Sequence, residues 1–372
     1  MEVLARAEEL QREGHEVVHF EVGEPDFATA KPIVEAGRQA LSDSRTKYTA
    51  ATGILPLREQ ISSYYKNLGI EVPPKRIVVT SGASGGLVLL ANLLLNPGEE
   101  LLITDPGYPC NEVFAAGVGA LSRKMPVSAD DGFQATLNTV QSHWSKNSKC
   151  VLLASPSNPT GTMLSASSLE AISGWVAEQG GFTILDEIYQ GIVHEPSYRS
   201  GLEITDNLFI LNSFSKYFGM TGWRLGWLVV PEQAVGAVTK LAQNLFICPS
   251  APAQYAALAA FTAESMQVHE ERREIFRERA QLLANGLREL GFKIPVFPQG
   301  AFYLYVDVSH TGLDSTEFCW RLLNEHHVAV TPGEDFGQHQ SSQFVRFAYT
   351  TDETSIRLGL QRIAEALDKL KG

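Results

Sequence analysis

Between Arg76 and Ser213 the chain alternates short, almost wholly apolar runs with longer stretches of helical period, and that alternation leaves few folds open. RIVVT is followed by GLVLLANLLL, ELLITD by a helical stretch after Pro109, and CVLLAS by SLEAISGWVAEQG; FTILDE and NLFILNS come next. A strand with one wet face alternates apolar and polar residues, so runs without that alternation need apolar cover on both faces. Helices interleaved with such strands supply the cover and carry the crossovers of a parallel sheet. The expected class is α/β.

The ends read differently. Val3, Leu4, Ala7 and Leu10 form a helical stripe in residues 1–14, and VVHFEV follows as a strand. Beyond Val268 comes a long charged helix to about Leu290; its stretch EERREIFRER, from Glu270 to Arg279, holds four acids and four bases and reads as a solvated, self-paired face. KIPVF, AFYLYVDV, VAVTP and FVRFAY then alternate with two helices. We therefore expect a large domain over residues 41–268 and a smaller α+β domain made of 1–40 with 269–372.

With 372 residues the chain exceeds one small module, and 44% hydrophobic with 19% charged residues makes a core-forming composition. A net charge of −12 disfavours nucleic acid and anionic membranes as partners, leaving small molecules. The longest apolar run, Leu87 to Leu95, is interrupted by Asn92 and is too short to span a bilayer. Glu2, Glu8 and Glu9 stand where a secretion signal carries positive charge and an unbroken apolar stretch, so cytoplasmic residence is expected. Cys110, Cys150, Cys248 and Cys319 have no paired spacing and read as reduced thiols, and the histidines offer no metal set.

Ligands of such sheets bind at the carboxyl ends of the strands. After RIVVT the loop SGASGG enters an apolar helix, which would aim the backbone N–H groups of Gly82, Ala83 and Ser84 at an anion such as phosphate. The glycines could instead serve only the turn. The pattern Gly82-x-Ser84-x-Gly86 also matches the nucleophile elbow of an α/β-hydrolase, but no HGGG-type oxyanion loop precedes it and nothing singles out its Asp and His. Asn158 lies in PSNPTG, and FTILDE ends in Asp186 with Tyr189 just beyond. That aspartate either caps the next segment or meets a charge. After NLFILNS, Lys216 sits among aromatic and small residues, so it either reaches solvent or is desolvated into a nucleophilic amine. An anion turn, a carboxylate, a phenol, a carboxamide, a lysine and an arginine on neighbouring loops together suit pyridoxal 5′-phosphate, whose aldehyde, ring nitrogen and phosphate need such partners.

The stretches VGEPDF, KYTAATG, SGASGGL, DPGYP, SPSNPTG, DEIY, SFSKYFGMTGWRLG, PQGAFY, TPGEDFG and FVRF follow one another nearly from end to end. In this order and spacing the chain resembles the class I/II aminotransferases of the fold-type-I pyridoxal-phosphate enzymes. The resemblance implies that Lys216 is the Schiff-base lysine and general base, that Asp186 partners the ring nitrogen, and that Asn158 and Tyr189 bond the ring's phenolic oxygen. It implies Tyr108 stacked on the ring, and the phosphate held by Gly82, Ala83, Ser84, Ser213 and Arg224. Arg346, with Gly23 and Asn158, would take the substrate α-carboxylate; a salt bridge from Arg346 to Asp307 is the structural alternative. Tyr48 would reach the phosphate of a neighbouring subunit, implying a homodimer. The implied reaction is ping-pong transfer of the amino group from an L-amino acid to a 2-oxo acid. A C–S β-lyase is the alternative on the same fold, with a hydrolase using Ser84 or a cofactor-sensing regulatory domain as remote ones. Some dicarboxylate-specific relatives carry a lysine in the first phosphate loop; SGASGG has none, which argues against a dedicated aspartate enzyme.

Overall fold

A computed structural model describes residues 2–194 and 198–371. Its centre is a seven-stranded sheet in the order Ile77–Thr80, Gly226–Val229, Leu208–Ser213, Phe182–Asp186, Ser148–Ala154, Glu100–Asp105, Leu121–Pro126. All strands run parallel except Gly226–Val229, which is antiparallel to both of its neighbours. The apolar runs behave as their pattern requires. Val151, Leu153, Leu185 and Ile210 enter the core on one face, and Cys150, Leu152, Ile184, Phe209 and Leu211 that on the other. Each such side chain, removed from water, contributes about 1.5–3 kcal/mol, so both faces hold the sheet.

A second sheet is antiparallel, with Phe344–Ala348 between Thr331–Pro332 and Tyr303–Asp307. Val18–His19 pairs in parallel with Val328–Ala329, which joins the amino-terminal segment to the carboxyl-terminal part of the chain. Helices Ser315–His326 and Glu353–Lys371 accompany these strands.

The elements differ from expectation in four places. VVHFEV forms only two residues of strand, although Phe20 extends its ties, with its N–H donating to Ala329 O and its carbonyl accepting from Ala348 N. KIPVF is no strand: Pro295 lacks a donor, and the segment is reduced to a single bridge between Lys293 and Asp307. The long helix begins at Ala263, because Thr262 caps it by accepting from the N–H of Ser265. Its charged face is also not wholly solvated. Arg273 and Arg277 pair along the helix with Glu270 and Glu274, but Arg279 turns inward, buried, onto the Asp26 carboxylate and the ring of Phe27. Among the described residues no helix is long and apolar enough to cross a membrane.

Candidate active site

At the carboxyl ends of the parallel strands lies a cavity of about 320 Å³. Its walls contain Gly23, Ala83, Ser84, Tyr108, Asn158, Asp186, Tyr189, Ser213, Lys216, Arg224 and Arg346, drawn from positions far apart in the chain. Two expected site residues are not in these walls: Gly82 adjoins Ala83 and packs against Arg224 at their edge, and Tyr48 is 81% exposed on the outer surface.

The anion turn is built by close backbone packing. Helix Gly82–Leu94 starts two residues after the strand Ile77–Thr80, and Ser81 offers no side-chain cap, so the first-turn N–H groups are left for a ligand. Gly82 has φ +70°, and a Cβ there would fall 2.6 Å from Arg224 Nη2. Arg224 itself is left-handed at φ 54° and donates from Nη1 to Thr221 O at 3.1 Å. A non-glycine residue held in that region is costly, and such strain gathers at binding sites. Glycine at 82 therefore serves Arg224 as well as the turn.

Lys216 lies in the loop that joins Leu208–Ser213 to the antiparallel strand Gly226–Val229. Its Nζ donates to Gly23 O at 2.7 Å, with the rings of Tyr189 and Phe302 at 5.8 and 5.7 Å. Burial pulls its pKa down to about 8, with Glu24 opposing and Arg346 and Arg224 adding to the shift. The same burial pushes Asp186 up to about 7, although its Oδ1 accepts the N–H of Ile188 at 3.1 Å. A buried carboxyl that close to neutral is short of a cation, the need a protonated ring nitrogen would meet. Tyr189 is fully buried, its hydroxyl 2.9 Å from that of Tyr303. Tyr108 stands at the mouth, 39% exposed.

Arg346 sits in the middle strand of the small sheet and points into the cavity. Nη1 donates to Asn158 Oδ1 at 3.0 Å, and Nη2 to Glu21 O at 2.6 Å and Thr331 Oγ1 at 3.3 Å. Its Cζ lies over the rings of Tyr303 and Phe336, 4.4 and 4.8 Å from their centroids. Asp307 is not its partner, because that carboxylate accepts the N–H of Ser309 instead. Among the described residues no carboxylate is within ion-pair reach of Arg346, and its buried Nε has no partner. A buried guanidinium left so is prepared for an incoming anion.

Among the described residues no histidine lines the cavity, so Ser84 has no Ser-His-Asp triad, and the hydrolase reading in that form fails. Sequence reasoning gave no role to Tyr303, Thr221 or Phe336. Tyr303 and Phe336 lie inside the stretches PQGAFY and TPGEDFG, and the pairing that brings both rings to Arg346 is long-range.

The residues present fit pyridoxal phosphate: an uncapped helix terminus beside an arginine for the phosphate, a carboxyl in want of a cation, and an amine of lowered pKa in one enclosed space. Fold and site together define a pyridoxal-phosphate enzyme of the aminotransferase type. Residues 15–363 match the family model for aminotransferase class I and II, and the chain belongs to that family. It is 37% identical over 373 residues to a (5-formylfuran-3-yl)methyl phosphate transaminase of Methanocaldococcus jannaschii, covering 99% of this chain and 96% of that one. It is 34% identical over 374 residues to an aspartate/prephenate aminotransferase of Thermus thermophilus, covering 99% and 95%. Among solved structures, an aminotransferase from Mycobacterium tuberculosis superposes with a TM-score of 0.95 at 35% identity, over 99% of this chain and 96% of the other. The chain is thus an enzyme of amino-group transfer that uses pyridoxal 5′-phosphate.

Proposed function

We propose that Lys216 is the central base in amino transfer from an L-amino acid to a 2-oxo acid by this chain, in two alternating half-reactions. The observation that carries this reading is the Lys216 amine itself, lowered in pKa by burial and enclosed in one cavity with Asp186, Tyr189 and Arg346. Bound pyridoxal 5′-phosphate supplies an aldehyde that captures amines and a ring that accepts the electrons left when the substrate's α-proton departs. The chain's part is to hold and move protons around it.

Asp186 would keep the proton on the ring nitrogen, and Asn158 and Tyr189 would hold the ring oxygen. Gly82, Ala83, Ser84, Ser213 and Arg224 would hold the phosphate, and Tyr108 would cover one ring face. Arg346, with Gly23 and Asn158, would bind the α-carboxylate and so orient the α-C–H toward Lys216. Lys216 Nζ takes that proton and gives it back, and a pKa of about 8 suits it to both directions near neutral pH. The transaminations named for the relatives favour amino transfer over β-elimination. The lack of a lysine in SGASGG argues against a dedicated aspartate enzyme.

Tyr48, exposed and outside its own cavity, supports a homodimer in which it reaches the partner's phosphate site. Four free cysteines support residence in a reducing compartment, the cytoplasm. We keep the division into 41–268 and 1–40 with 269–372, supported by the two separate sheets and the pairing of residues 18–19 with 328–329.

The test is to saturate the protein with the cofactor, reduce with borohydride and map peptides. The label is expected on Lys216, and a label on any other lysine removes it from the role. A donor screen that follows the cofactor's colour would then identify the amino acid.

A further inference from the structure

Tyr303 received no role from its motif, yet its side chain touches three groups of the site. Its hydroxyl is 2.9 Å from Tyr189 Oη, and its ring centroid is 4.4 Å from Arg346 Cζ. A Cβ on Gly23 would fall 2.4 Å from the Tyr303 hydroxyl oxygen. The residue whose carbonyl holds Lys216 must therefore lack a side chain for this phenol to lie where it does. Tyr303 is itself buried and fixed in the small sheet by its pairing with Ala348.

The two phenols have one hydrogen each, and a single bond joins them. When Tyr189 gives its hydrogen to an acceptor in the cavity, its oxygen is left with lone pairs only, and the bond between the tyrosines survives only with Tyr303 as donor. A phenol that receives such a bond is the stronger donor for it. The ring acts separately. Its negative face lies under the guanidinium carbon of Arg346, which the ring of Phe336 also meets, so two aromatic rings hold that charge in place.

We propose that Tyr303 is a dual positioning residue: its hydroxyl commits Tyr189 to donating toward the cofactor's ring oxygen, and its ring holds Arg346 in place for the substrate α-carboxylate. The proposal rests on the roles given above to Tyr189, Lys216 and Arg346. Its two halves separate by substitution. Tyr303→Phe removes only the hydroxyl, and Tyr303→Leu removes the ring as well.

The experiment titrates the visible band of the cofactor-loaded protein with pH, without substrate, and measures KM and kcat for two unrelated amino acid donors. Tyr303→Phe is expected to raise the pH midpoint of the band by about 0.5 to 1 unit. A weaker Tyr189 donor makes the ring oxygen hold more tightly the proton it shares with the Lys216 nitrogen. KM should stay near its parent value. Tyr303→Leu is expected to move the midpoint the same way and also to raise KM for both donors, about two- to thirtyfold, from the lost cation–π contact. A midpoint that Tyr303→Phe leaves in place overturns the hydroxyl's part, even if leucine destabilises the fold. A KM that Tyr303→Leu leaves unchanged, or raises for one donor only, overturns the ring's part. Parent protein without any pH-dependent band overturns the assignment of Lys216 and Tyr189, and this proposal with it.

Discussion

Gly226→Ala asks whether the antiparallel strand must lie directly against the anion turn. Gly226 opens that strand, paired with Thr80 on one side and Ser213 on the other. A Cβ at this position would stand 2.8 Å from Asn212 O, 2.9 Å from Ala83 N and 2.9 Å from Gly82 C. All three are backbone atoms, and ordinary contact begins at 3.4 Å, so the strand and the turn must separate by roughly half an ångström. Overpacking of this kind costs about 1–3 kcal/mol. The turn can yield more readily than the sheet, because its first N–H groups are uncapped while Asn212 belongs to a ladder. If the cost falls there, the dissociation constant of the cofactor rises about five- to 150-fold at 1.36 kcal/mol per decade. The assay is titration of the cofactor-free protein with pyridoxal 5′-phosphate, followed by tryptophan fluorescence, with a melting curve beside it. Gly236→Ala is the control: nothing lies within 4 Å, the residue is helical, and about 0.5–1 kcal/mol of added stability is expected. A Gly226→Ala protein that binds the cofactor as tightly as the parent refutes the reasoning.

Other perturbations address the remaining roles. Arg346→Ala should lower kcat/KM about ten- to 150-fold for every amino acid, since each loses a charge-assisted bond to the shared α-carboxylate; a loss confined to one donor would mean that the arginine reads a side chain. Lys216→Ala should lower turnover about a thousandfold or more while the folded protein still binds the cofactor without a covalent link, and near-parent transamination would end its candidacy as base. Asp186 gives a pH signature. Its pKa is raised from 3.8 to about 7 in the folded state, so the folded protein binds more protons between those values and its stability falls as pH rises through that window. Cofactor-free protein should therefore melt higher at pH 5 than at pH 8, with the cofactor reducing the difference; Asp186→Asn should lessen the slope and leave the part contributed by its neighbour Glu187, which burial raises to about 8, and a slope that Asp186→Asn leaves unchanged would mean that Asp186 does not titrate in this window.

How much of this could be read in the chain follows from what is local and what is not. The parallel strands were legible because residues such as Val151, Leu152 and Leu153 have no polar alternation, and the sheet does bury both faces. Gly226–Val229 looks no different from its neighbours in composition, and its direction comes from the hairpin around Lys216. KIPVF reads as a strand by its apolar pattern, but Pro295 has no N–H for a ladder and only the Lys293–Asp307 bridge forms. In the site, Lys216, Asp186 and the glycine turn stand at strand ends that the pattern locates. Arg346 was visible as a cation in an apolar strand, but its walls, Tyr303 and Phe336, were not, since ordinary core aromatics look the same in one dimension. Arg279 shows the same limit, its partner Asp26 lying 253 positions away.

The return strand also bears on how such a catalyst can change over time. Because Ser213 and Gly226 face each other across a ladder, the segment between them is a closed span whose ends cannot slide. Lys216 and Arg224 occupy that one span, so an insertion or deletion anywhere within it would alter the distance between amine and guanidinium at a stroke. Variation in length should be admitted at other loops and refused here, which leaves new substrate preferences to arise by exchanging side chains around a rigid clasp.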